Sequence, residues 1–66
     1  MRPPRETHGF TVGDSQIRKR YGITVIGVKP PGRPFEYATE QTRIDADDVL
    51  ILSGDTMLLE KFARRP

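Results

Sequence analysis

Tyr21-Gly22-Ile23 marks the sharpest boundary in the chain, and it constrains the fold more than any other feature. Before it, Ile17 and Tyr21 lie four residues apart on one helical face, with Arg18, Lys19 and Arg20 crowding what would be the last turn. Cations there suit the negative end of a helix dipole. After it, Thr24-Val-Ile-Gly-Val28 is rich in β-branched residues and apolar on both parities. Gly22 can adopt the left-handed conformation that stops a helix, and Ile23 supplies the apolar residue beyond it. The chain therefore turns from a short basic helix directly into a strand. Thr11 and Asp14 fit a capping box at the start of that helix, which is expected to run two to three turns.

The strand over Thr24 to Val28 reads as central and buried on both faces. Gly27 inside it predicts a bulge or a close backbone approach. Lys29-Pro-Pro-Gly-Arg-Pro34 cannot continue a sheet and makes a turn. Phe35 to Tyr37 alternates as a short strand, and Thr39 to Thr42 is polar with extended character. Asp45 to Asp48 reads as a turn. Val49-Leu-Ile-Leu52 is a second buried strand, stopped by Ser53-Gly54. Asp55 or Thr56 caps a closing helix in which Leu58, Leu59 and Phe62 share a face. The expected class is α+β, a small and mainly antiparallel sheet with flanking short helices. Residues 1–9 read as a flexible arm or linker, 10–63 as the domain and 64–66 as a tail.

A core of this size supplies little net stability, and small domains usually add disulfides, a metal or a partner chain. The 66 residues contain no cysteine and one histidine, His8, so neither a disulfide nor a metal site is expected. Oligomerisation is the staple that remains, and a homodimer is expected. No apolar run approaches the roughly 20 residues of a membrane-spanning helix. Charged Met1-Arg-Pro-Pro-Arg5 has no apolar segment behind it and does not read as a signal peptide. These features point to the cytoplasm, without direct membrane insertion.

Nothing in the residue pattern carries catalysis. Asp45, Asp47 and Asp48 cluster, but carboxylates this close in a turn are explained by hydrogen bonding to their own backbone. Ser15 and Ser53 lack the context of an activated nucleophile. Neither a phosphate-binding P-loop nor a dinucleotide fingerprint is present. The net charge of +2 hides an asymmetry: +5 over residues 1–33 and −3 over residues 34–66. The acidic second half argues against nucleic acid as a partner. Arg18-Lys19-Arg20 reads either as a solvated helix face or as part of a site for a small phosphorylated ligand.

Four segments in order, Arg18-Lys-Arg-Tyr-Gly-Ile23, Thr24 to Val28, Tyr37-Ala-Thr-Glu-Gln-Thr42 and Asp48-Val-Leu-Ile-Leu-Ser-Gly54, resemble the C-terminal domain of the regulators of potassium conductance, the TrkA C-terminal family. The likeness covers roughly Thr11 to Phe62. It departs from the family pattern at Glu40, where a proline is common, and at Asp47, where a glycine is. The resemblance implies a cytosolic regulatory domain, dimeric, working with a membrane-embedded potassium channel, transporter or cation/proton antiporter. It places the chain at the inner face of the membrane through that partner. It also implies, from members that bind cyclic di-AMP between two subunits, a ligand set of Val12, Arg18, Thr24, Val25 and Glu40. Arg18 would meet a phosphate, Thr24 would stand at an asparagine position, and Val12 and Val25 would face the bases. The alternative implied by the family is a structural dimerisation module that relays a signal from an upstream nucleotide-binding domain and binds no ligand itself.

Overall fold

A computed structural model describes residues 1–66. The chain begins with a 3-10 turn at Arg5–Thr7, followed by α1 (Val12–Ser15) and α2 (Ile17–Tyr21). Then come β1 (Thr24–Lys29), β2 (Glu36–Tyr37), β3 (Val49–Ser53) and α3 (Thr56–Ala63). The three strands form one antiparallel sheet in the order β2-β1-β3. The class is α+β, as the residue pattern predicts.

Thr11 caps α1 by accepting the Asp14 N–H at 3.1 Å. The expected single helix is broken at Gln16, whose backbone is left-handed at φ 53° and ψ 35°. Val12-Gly-Asp-Ser15 explains the break: Gly and Asp are weak helix formers. The Ser15 hydroxyl also bonds back to the Val12 carbonyl at 2.7 Å, competing with helix continuation. The helix restarts when Arg20 donates to the Gln16 carbonyl at 2.8 Å. Gly22 ends α2 at φ 71°, its N–H donating to the Arg18 carbonyl at 3.0 Å. The stop is where the sequence places it.

β1 is not buried on both faces, contrary to expectation. Val25 and Val28 are buried, whereas Thr24, Ile26 and Lys29 are exposed. The register explains the misreading. Val25 pairs with Leu52 and Gly27 with Ile51, so Ile26 is the extra residue of a bulge. A bulge shifts the parity of everything after it, and a one-faced strand then looks apolar on both parities. Gly27 is required by close approach as well, because a Cβ there would overlap the Phe35 ring and lie 2.7 Å from the Glu36 carbonyl. β3 is also one-faced: Leu50 is buried and Leu52 half-buried, while Val49 and Ile51 are exposed.

The covered face carries the core of Ile17, Ile23, Val25, Val28, Ile44, Leu50 and Phe62. Asp55 caps α3 through the Met57 N–H at 2.9 Å. Phe62 is buried and Leu59 half-buried, but Leu58 lies at the exposed edge of that helix face. The Asp45–Asp48 turn forms as read, with the nearly buried Asp48 carboxylate accepting the Asp45 N–H at 2.9 Å.

Residues 1–9, expected as an arm, pack on the body. Met1 exchanges backbone bonds with Leu50 at 2.6 and 3.2 Å, Gly9 donates to the Ile44 carbonyl at 2.8 Å, and Pro3, Pro4 and Thr7 are buried. The expected tail is tied in too, since Pro66 accepts the Arg5 N–H at 2.8 Å. No helix is long and apolar enough to cross a membrane.

Candidate functional site

Two backbone bonds join the start of α1 to the segment after β2. Val12 donates to the Thr42 carbonyl and Gly13 to the Glu40 carbonyl, each at 2.8 Å. The segment they grip is itself a locked turn. Thr39 donates its N–H to the Thr42 hydroxyl at 2.9 Å, Thr42 returns its N–H to the Thr39 carbonyl at 3.1 Å, and Gln41 donates to the Thr39 hydroxyl at 3.2 Å. On the strand side, Ala38 donates to the Ile26 carbonyl at 2.9 Å, which carries the β1–β2 pairing one residue further. These bonds set α1, the locked turn and β1 beside one another around a half-open cleft that α2 also borders.

The cleft has a volume of about 680 Å³ and is lined by ten residues, a size typical of small-molecule sites. All five residues named from the sequence line it: Val12 from α1, Arg18 from α2, Thr24 and Val25 from the start of β1, and Glu40 from the locked turn. They are not equally available. Val25 is only 8% exposed and belongs mainly to the core, whereas Arg18, Thr24 and Glu40 are exposed. Gly13, Gln16, Lys19, Ala38 and Thr39 complete the lining.

Sequence reasoning did not single out these five. Lys19 was legible only as one member of the basic run, and Gln16 carried no signal for its left-handed backbone. A non-glycine residue in that region is strained, and such strain is concentrated at functional sites. The basic run is divided: Arg18 and Lys19 line this cleft, while Arg20 lines another with Tyr21.

Arg18, Lys19 and Glu40 take no part in the four ion pairs of the chain. The cleft thus holds two uncommitted cations and one uncommitted carboxylate beside hydroxyl and amide groups, with Val12 and Ala38 as apolar wall. A guanidinium is suited to gripping phosphate oxygens through two parallel N–H bonds. The lining contains neither histidine nor cysteine. The lining therefore offers a bound molecule two cations, one carboxylate and a small apolar wall. No family model matches the chain, and no curated protein matches it.

Proposed function

We propose that this chain is a regulatory, ligand-sensing domain of the TrkA C-terminal type, serving a potassium channel, transporter or cation/proton antiporter at the inner face of the membrane. It works by binding and is not an enzyme. The reading rests on one observation above all: five residues chosen by motif resemblance, scattered from position 12 to position 40, line a single cleft. The effector is a phosphorylated nucleotide whose phosphate meets Arg18. Cyclic di-AMP is the compound the resemblance implies, held between two copies of the chain, because a two-fold dianion matches a two-fold site.

Calorimetric titration with cyclic di-AMP tests this. Micromolar or tighter binding that disappears in Arg18→Ala is the expected result. A melting shift should accompany it, since a ligand at 100 times its dissociation constant stabilises by about 2.7 kcal/mol. No heat and no melting shift at about 100 µM ligand, far above the affinity a sensor needs, would remove the sensing role.

A second reading, a dimerisation module without its own ligand, has a specific observation in its favour. Val25 and Val28 are spent on the chain's own core, yet the open face of the sheet leaves Ile26, Val49 and Ile51 exposed, with Phe35 and Tyr37 in edge-to-face contact at 5.3 Å alongside. Exposed apolar patches of this kind mark interaction surfaces. A homodimer that covers this face would supply the stability such a small core lacks.

A further inference from the structure

The end of α2 and the end of α3 border a second cleft, of about 460 Å³, which shares no lining residue with the first. Arg20, Lys61, Arg64 and Arg65 all line it, and no acidic residue does. The Arg65 guanidinium lies 4.5 Å and the Arg20 guanidinium 5.1 Å from the centre of the Tyr21 ring. Two like charges are thus held against one aromatic ring, an arrangement that repulsion disfavours. Part of the charge is answered. Glu6 reaches across with one carboxylate oxygen toward each guanidinium, at 3.6 Å from Arg20 and 3.5 Å from Arg65. Two helix ends contribute at most roughly half a negative charge each. Against four cations, the cleft keeps a net positive charge.

We propose that this cleft is a binding site for a phosphate group carrying about two negative charges, with Arg20 and Arg65 as its principal ligands and Lys61 and Arg64 as outer cations. The Tyr21 ring pre-positions the two guanidinia, so less side-chain freedom is lost when an anion arrives. Glu6 already acts as an internal stand-in, one carboxylate spanning both guanidinia at distances too long for good hydrogen bonds. A phosphate has more charge and more acceptor oxygens, and it competes with Glu6 for the same pair. The four basic side chains lining the cleft can all donate, and none of its lining side chains is a carboxylate. This site is independent of Arg18 and of the first cleft.

The test is calorimetric titration of the whole chain with inorganic pyrophosphate at low ionic strength, beside sulfate, a duplex oligonucleotide, and phosphatidylcholine vesicles with and without a phosphoinositide. Pyrophosphate should bind at least tenfold more weakly to Arg20→Gln and to Arg65→Gln, several-fold more tightly to Glu6→Gln, and equally to Lys29→Gln, an exposed cation outside both clefts. Melting curves followed by circular dichroism confirm that each variant is folded. Phosphoinositide vesicles that bind with the same dependence, competed by pyrophosphate, place the phosphate on a lipid; pyrophosphate binding without vesicle binding places it on a soluble molecule, and both support the site. Absence of pyrophosphate binding, equal binding of sulfate, indifference to the Arg20 and Arg65 changes, or tighter oligonucleotide binding that also needs Arg18 would each overturn it.

Discussion

Gly13 and Glu40 are locked together. The Gly13 N–H bonds to the Glu40 carbonyl at 2.8 Å, and a Cβ on Gly13 would lie only 3.1 Å from both that carbonyl oxygen and the Glu40 Cβ. The wall of the first cleft is therefore set by a glycine on one side and backbone on the other, with no flexible side chain end to give way.

Gly13→Ala follows from that contact. Alanine raises helix propensity by up to about 1 kcal/mol, but crowding a packed contact costs roughly 1–3 kcal/mol. The crowding should win, with a net loss of about 1 kcal/mol, a fall of several degrees in melting temperature. An unchanged or higher melting temperature would show that the turn of residues 39–42 yields freely.

At Gly22 two penalties act together. A side chain there is forced into a left-handed backbone at φ 71°, and its Cβ would meet Leu58 Cδ1 at 3.1 Å. Gly22→Val should destabilise by more than about 1 kcal/mol, since β-branched residues are poorest in that conformation. Chemical denaturation measures it; a variant with the wild-type midpoint contradicts the packing of α3 against the end of α2.

Glu40 opposes an anionic ligand in the Arg18 cleft. Glu40→Gln keeps the shape of the wall and removes the charge, so cyclic di-AMP should bind several-fold more tightly, with the gain shrinking as salt rises. Glu40 is exposed and unpaired, and stability should hardly move. If affinity drops instead, the carboxylate holds part of the ligand.

A charge on the open face of the sheet should separate subunits. Ile51 is 41% exposed and pairs with Gly27 across β1. Ile51→Lys leaves the buried core untouched but would place a cation in an apolar interface. Sedimentation equilibrium at tens of micromolar, the range of weak dimers, should find a dimer for the natural sequence and a monomer for the variant. A natural chain that sediments as a monomer rejects the interface.

The helix stop at Gly22, the cap at Thr11, the close approach at Gly27 and the Asp45–Asp48 turn were legible because each depends on one residue's local chemistry. One-sided burial was not, because the bulge at Ile26 disguises the alternation it interrupts. The docking of residues 1–9 was hidden for another reason. It depends on Met1 meeting Leu50 and Gly9 meeting Ile44, backbone pairings between distant positions that side-chain patterns do not encode. At the cleft, Val12, Arg18, Thr24, Val25 and Glu40 could be named from motif resemblance. Lys19, Gln16 and Thr39 could not, because what brings them in is the broken helix and the hydroxyl-locked turn.

The break at Gln16 has a mechanical consequence. α2 is a five-residue rod bounded by left-handed residues, Gln16 before it and Gly22 after it, and its neighbouring cations serve different clefts: Arg18 and Lys19 one, Arg20 the other. Ile17, the first residue of the rod, is only 1% exposed and pins it to the core. The cations are held in fixed places, so an occupant of one cleft leaves the ligands of the other where they are. Neighbouring residues of one short helix can thus serve two separate sites.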